Sequence, residues 1–127
     1  MLVDLYAEDR ATMGCGDRVL AIPYAVPEEV DPLLVAVEAL LRPDNAPARR
    51  AGLYNALASS SLTVESLGVQ RGTAILRLSG ELRITGECDR ERITGQLNAT
   101  LLQYREIVNT EITVNGVGLE ELLSRRP

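Results

Sequence analysis

The feature that most constrains the fold is a β-hairpin pattern placed between two amphipathic helical patterns. Residues 62–70 and 72–79 are typical of strands, and they are joined through Arg71-Gly72. Gly at such a position supplies the positive φ that tight hairpin turns require. The second strand carries alternating apolar side chains that share one face, which are Ala74, Leu76 and Leu78. One face of this hairpin is therefore expected to lie against the core.

Both flanking helices have recognisable ends and apolar stripes. Residues 31–42 predict the clearer helix, because Asp31 is a good N-cap and Pro32 suits the first helical position. Its apolar face comprises Leu33, Val37, Leu40 and Leu41. Residues 89–104 predict a second helix with a core stripe of Ile93, Leu97, Leu101 and Tyr104.

The remaining patterns complete an α+β layout. Residues 2–8, 18–26 and 106–114 read as strands, and the Asn-Gly pair at 115–116 is a strong turn signal. Residues 118–127 are expected to form a short helix or a packed tail. The predicted order is ββαββαβ, with a mixed or mainly antiparallel sheet and the two main helices on one face. We expect a single domain over the whole chain, 1–127.

Composition excludes several classes of chemistry. The chain has 127 residues and a net charge of −5, and all 13 of its basic residues are Arg. Without His there is no His-based triad or His metal site, and without Lys there is no Schiff-base or Walker-type chemistry. An acidic chain whose only aromatic residues are four Tyr is a poor candidate for nucleic-acid binding. These absences favour binding, assembly or structural roles.

No motif for a metal or cofactor is present in the sequence. Glu28, Glu29 and Asp31 lack the alternating oxygen pattern and the Gly of a calcium loop. The Gly-rich segments 14–16 and 116–118 do not match a dinucleotide-binding fingerprint. We therefore assign no catalytic, cofactor-binding or metal-binding residue.

Two cysteines, Cys15 and Cys88, lie far apart in the sequence and both have turn-like neighbours. Their spacing fits no zinc motif. The residues alone leave three alternatives, namely two unrelated free thiols, one reactive thiol, or one disulfide.

A set of short segments, in order along about two-thirds of the chain, resembles the GerMN domain of the sporulation and spore germination protein GerM. The segments are Asp31-Pro32, Glu38 to Leu41, Arg50 to Leu53, Gly72 to Ser79, Gln96 to Leu101 and Val108 to Gly116. Each is short, and it is their order and spacing together that make the resemblance specific.

The resemblance implies a non-catalytic interaction module on the outer side of the cytoplasmic membrane. Its partners would be envelope or sporulation-complex proteins, and any membrane attachment would come from an anchor and leader outside this sequence. An extracytoplasmic location also favours a disulfide between Cys15 and Cys88. The expected contact points are exposed sheet edges, with the Pro23 strand and the 106–114 strand as candidates.

Two other functions compete with this interpretation. One is a small-ligand or glycan-binding module, which four aromatic residues support poorly. The other is a carboxylate-dependent hydrolase using two of Glu81, Glu87 and Glu91. It would need paired carboxylates in a cleft.

Overall fold

A computed structural model of the protein describes residues 2–7, 18–23, 28–42 and 53–125. Along the chain it contains β1 (Leu2–Ala7), β2 (Arg18–Pro23), α1 (Pro32–Leu41), β3 (Leu53–Tyr54), β4 (Ser61–Gln70), β5 (Thr73–Glu81), α2 (Asp89–Leu101), β6 (Asn109–Val114), β7 (Val117–Gly118) and α3 (Leu119–Ser124). The predicted α+β class is confirmed, with the short strands β3 and β7 as additions.

The described strands form two sheets, whereas the sequence predicted one. Three strands pair in the order β2-β1-β3, and four pair in the order β4-β5-β6-β7. The larger sheet is mixed, because β5 and β6 are parallel while its other pairs are antiparallel. Parallel neighbours need a long crossover, and here α2 lies in the crossover between β5 and β6.

A β-bulge lets β4 keep its apolar residues on one face. The register between β4 and β5 shifts between Val64 and Ser66, so Glu65 is the extra residue. Simple alternation would otherwise move the apolar positions to the opposite face after Val64. With the bulge, residues on the same face of the two strands stand opposite each other, in the pairs Leu62 with Gly80, Val64 with Leu78, Leu67 with Leu76 and Val69 with Ala74.

Helix α1 begins as predicted. The Asp31 Oδ1 atom accepts a hydrogen bond from the Leu33 backbone N–H at 3.0 Å, and Pro32 occupies the first turn. Helix α2 ends at Leu101, three residues before the predicted end. Tyr104 therefore lies in the turn that follows, although its side chain still packs against the core.

One hydrophobic core joins the helices to the mixed sheet. Ile93, Leu97 and Leu101 of α2 are fully buried, as the predicted stripe requires. Both long helices contact each other and β1, and α1 also contacts β4. The buried cluster comprises Leu33, Ala36, Val37, Leu40, Leu41, Ala56, Leu57, Leu62, Ala74, Leu76, Leu78, Ile93, Leu97, Leu101, Ile107, Val114, Leu119 and Leu123.

A buried polar network fixes the segment between β3 and β4. The Asn55 side chain donates to the Leu40 carbonyl at 2.8 Å and accepts from the Leu57 N–H at 2.9 Å. Gln96 of α2 accepts from the Ala56 N–H at 2.9 Å. The connection is thereby attached to both long helices, and its backbone groups are satisfied in the interior.

Candidate interaction surface

Three segments that are distant in sequence meet at one end of the molecule. They are the start of α1, the end of β4 and the turn that follows α2. Between them lies a shallow groove of about 320 Å³. It is lined by Asp31, Pro32, Leu33, Val69, Tyr104, Glu106 and Ile107.

The large apolar side chains that are exposed within the described residues all lie at this groove or within two residues of its lining. Val69 lines it and is 48% exposed. Val30 precedes the lining residue Asp31, Leu102 lies two residues before Tyr104, and Val108 follows Ile107. We call these four residues the apolar end: Val30, Val69, Leu102 and Val108. Exposed apolar residues around a groove are typical of a protein contact site.

Backbone hydrogen bonds hold the apolar end in shape. The Gly72 carbonyl accepts from the backbone N–H groups of Val108 at 2.8 Å and Asn109 at 3.1 Å. A Cβ atom on Gly72, which has φ of +80°, would lie 3.2 Å from the Val108 side chain. The hairpin turn between β4 and β5 is thereby fastened to the segment that enters β6.

Two carboxylates give the groove a negative rim. Burial, followed by the charges of Asp31 and Glu106, raises the pKa of Tyr104 above its ordinary value of 10.0. The two carboxylates also disfavour an anion and favour a cation of a partner at this point. Two exposed arginines, Arg71 in the hairpin turn and Arg105 beside Tyr104, belong to the same segments but do not line the groove.

The carboxylates considered for a hydrolase are exposed and placed beside arginines. Glu81 pairs with Arg83 at 3.0 Å, and Glu87 pairs with Arg90 at 3.1 Å. Glu91 is exposed in the first turn of α2. None of them lines the groove at the apolar end, nor either of two further grooves, between α1 and β4 and between α2, β6 and α3.

The charged start of α2 has a structural role. Asp89 is buried, pairs with Arg92 at 3.1 Å and accepts a hydrogen bond from the Thr85 hydroxyl. Arg90 donates to the Leu123 carbonyl at the end of α3. These contacts anchor the helix start and the terminal helix.

Cys88 immediately precedes α2, as its N-cap residue. Cys15 lies outside the described residues, so the Cys15–Cys88 disulfide stays a prediction.

The predicted sheet edges are confirmed in part. β2, which contains Pro23, does stand at an end of its sheet. The 106–114 strand is followed in the sheet order by β7, but β7 pairs with it only at Thr113 and Val114. Within the described residues, the side of β6 that faces away from β5 has no strand partner over residues 109–112. The end strands of the larger sheet are β4 and β7.

The described part of the chain has two further grooves. One of about 390 Å³ lies between α1 and the start of β4, lined by Glu38, Leu41, Arg42, Leu62, Thr63 and Val64. The other, of about 260 Å³, lies between α2, β6 and α3, lined by Thr94, Asn98, Thr110, Glu111, Ile112, Gly118, Leu119 and Glu120. Neither brings an aromatic side chain together with convergent charged groups.

Within the ranges that the structure describes, no group of three or more acidic or Cys residues is arranged to hold a metal ion. In the same ranges, none of the helices has the length and apolar character needed to cross a bilayer.

The apolar end was not predicted from the sequence, because its valines continue the apolar periods of neighbouring elements. Val30 stands three residues before Leu33 of the α1 stripe, and Val69 and Val108 fit the two-residue alternation of their strands. Their exposure depends on how the start of α1, the end of β4 and the turn after α2 meet.

Comparison with known proteins decides the family. The family model described as "Germane: Sporulation and spore germination" matches residues 5–120. The chain belongs to this family. No curated protein matches it.

Solved structures agree on the fold of this Germane-family domain. It is similar to the first GerMN domain of the sporulation protein GerM from Bacillus subtilis, with a TM-score of 0.65, 23% identity, and coverage of 94% of this chain and 86% of that one. It is also similar to the tandem GerMN domains of the same protein, with a TM-score of 0.66 and 22% identity. That match covers 93% of this chain and 40% of the tandem chain. The resemblance to the GerMN domain seen in the sequence is confirmed.

Proposed function

We propose that this domain is a non-catalytic interaction module that works on the outer side of the cytoplasmic membrane. Its role would be to contribute a contact surface to an envelope or sporulation-associated protein assembly. The contact surface is the apolar end, and its occupant is a protein whose own surface there is aliphatic and basic.

The observation that carries this proposal is the position of the exposed apolar residues, since Val69 lines the groove and the other three lie within two residues of its lining along the chain. Val108 is 66% exposed, and Val69 is 48% exposed. Covering such side chains favours association by about 25 cal/mol for each Å² of apolar area removed from water. The negative rim formed by Asp31 and Glu106 adds the charge preference.

The competing functions have less support in the described residues. A glycan site would need aromatic faces for stacking, and Tyr104 is the one aromatic residue that lines any of the three grooves. A hydrolase would need two free carboxylates in a cleft, whereas Glu81 and Glu87 are exposed and paired with arginines.

The test is affinity capture from envelope extracts with matched variants. The double variant Val30→Ser/Val108→Ser replaces two exposed side chains of the apolar end. The control variant Glu81→Ser/Arg83→Ser removes an exposed ion pair at the other end of the β4–β5 hairpin. Thermal unfolding of both variants establishes that each is folded.

We expect the original domain and the control variant to retain the same envelope protein, and the Val30→Ser/Val108→Ser variant to lose it. Equal retention by both variants would refute the apolar end as the contact surface. Recovery of a cytoplasmic protein alone would refute the envelope assignment.

A further inference from the structure

We propose that the outer edge of β4, residues 66–70, binds an extended segment of the partner protein by strand addition. This inference rests on the proposed function and specifies how the contact is made. The bound segment would become a further strand of the mixed sheet, next to the groove at the apolar end.

The edge is open in the structure. β4 is an end strand of the larger sheet, so one of its sides has no strand neighbour within the described residues. Ser66, Gly68, Val69 and Gln70 are all exposed. A Cβ atom built on Gly68 would have nothing within 4 Å. Among the described strands, none would be displaced by an extended backbone that approaches this side of β4.

The hairpin register determines which backbone groups face outward. Gln70 stands opposite Thr73 across a two-residue turn, in which Arg71 and Gly72 both have positive φ. In such hairpins the residues that flank the turn form a hydrogen-bonded pair, and bonding alternates from there. Gly68 therefore bonds to β5, while the N–H and C=O groups of Leu67 and Val69 point away from it.

The bulge at Glu65 limits the length of the edge. Beyond it the register shifts and the regular alternation of outward groups is interrupted. Natural proteins protect long edges with such devices, because a regular edge pairs with other chains indiscriminately. Here the bulge leaves one short regular stretch, and this stretch begins beside the groove.

The two faces of the edge specify the side chains of the partner segment. Leu67 packs partly against the core and Val69 lines the groove, so neighbouring residues of an added strand on this face would be aliphatic. Ser66, Gly68 and Gln70 lie on the other face of β4. Residues of the added strand on that face would be polar. Asp31 and Glu106 line the groove beyond Val69, and they favour Arg or Lys at that end of the segment.

The test uses a synthetic, end-blocked peptide, Arg-Val-Thr-Val-Thr-Arg, as the probe, and follows binding through the backbone amide resonances of the domain. The control peptide is identical except that both valine nitrogens are methylated, which removes two donors and keeps every side chain. Val69→Pro removes one outward-facing donor of β4 and spares the bonds to β5, since Pro is tolerated at the exposed side of an edge strand. Val69→Thr keeps the donor and the branched shape.

We expect the probe to bind the original domain and Val69→Thr, and to slow hydrogen exchange at Leu67 and Val69. Affinity should fall by about tenfold or more for Val69→Pro and for the methylated peptide, because a buried acceptor then lacks its donor. The methylated peptide tests the backbone hydrogen bonds on the original domain, so the result does not depend on whether Val69→Pro is folded. Absence of probe binding, or equal affinity with and without the donors, would overturn strand addition. If envelope capture succeeds and depends on Val30 and Val108 in that case, the proposed function stands without this mode of contact.

Discussion

The Gln96 side chain donates a hydrogen bond to the Asn55 Oδ1 atom at 3.2 Å, across 41 positions of sequence. Both residues are buried, with exposed fractions of 0% for Gln96 and 3% for Asn55. Gln96 also belongs to the segment Gln96 to Leu101 that carries the family resemblance. In the structure, Gln96 links α2 to the segment that enters the larger sheet, through buried hydrogen bonds to Asn55 and Ala56. We call this pair of hydrogen bonds the clamp.

Replacing Gln96 should destabilise the domain. Gln96→Ala leaves the Ala56 N–H without its acceptor and opens a cavity, so we expect a loss of about 2–4 kcal/mol in the free energy of unfolding. Urea unfolding followed by circular dichroism measures this change. The matched control is Gln103→Ala, whose side chain is half-buried and bonds the Thr100 carbonyl. A loss no larger for Gln96→Ala than for Gln103→Ala would contradict the clamp.

Gly80 is required by a close approach of two strands. Its φ is +121°, and a Cβ atom there would lie 2.0 Å from the Ser61 carbonyl oxygen. The Asn115 side chain also bonds the Gly80 N–H at 3.1 Å and its carbonyl at 2.8 Å. Gly80→Ala should therefore cost at least about 3 kcal/mol, combining backbone strain with overpacking.

Gly68→Ala is the control for this prediction. Nothing lies within 4 Å of a Cβ at Gly68, and its φ is not positive. The substitution should change the stability by no more than about 0.5 kcal/mol. Both variants are compared by thermal and urea unfolding. Similar stability of Gly80→Ala and Gly68→Ala would show that the β4–β5 register differs from the one described.

The environment of Tyr104 predicts that its phenol titrates with a pKa above 10.0. Burial and the nearby charges of Asp31 and Glu106 raise its pKa above 10.0. The difference in tyrosinate absorbance between the original domain and Tyr104→Phe isolates this residue from the other three Tyr. Because the folded state favours the neutral phenol, its contribution to stability is fully present below pH 10.0 and is lost as the pH rises through the folded pKa. A midpoint at or below 10.0 would contradict the burial of Tyr104 and the nearby charges of Asp31 and Glu106.

A thiol count tests the Cys15–Cys88 disulfide. The unreduced, denatured protein should contain no free thiol, and reduction should release the two cysteines of the chain. The long loop that the bridge closes predicts a stabilisation of roughly 4 kcal/mol on the chain-entropy model. The double variant Cys15→Ser/Cys88→Ser measures that loss. Two free thiols in unreduced protein would exclude the bridge.

The sequence was informative where the determinants are local. The cap at Asp31, the turn at Arg71-Gly72 and the stripe of α2 each depend on residues within a few positions of one another, and each has the predicted structure. The order of the main elements followed from them.

The remaining features depend on contacts between distant residues. The parallel pairing of β5 with β6, the division into two sheets and the bulge at Glu65 are set by packing that no short window contains. The apolar end likewise exists only because the segments around Val30, Val69 and Tyr104 converge. For the same reason the sequence did not show that β7 covers the end of the 106–114 strand, and the open side of β4 was not considered.

Site-directed photocrosslinking tests the contact surface most directly. A photoreactive amino acid is placed at Val108, in the apolar end, and in a separate variant at Arg83, an exposed position at the far end of the β4–β5 hairpin. Crosslinking is carried out in envelope preparations, and the products are identified by mass spectrometry. We predict that position 108 yields one defined crosslinked envelope protein and that position 83 does not. Crosslinks of equal yield to the same protein from both positions, or from position 83 alone, would contradict a contact through the apolar end.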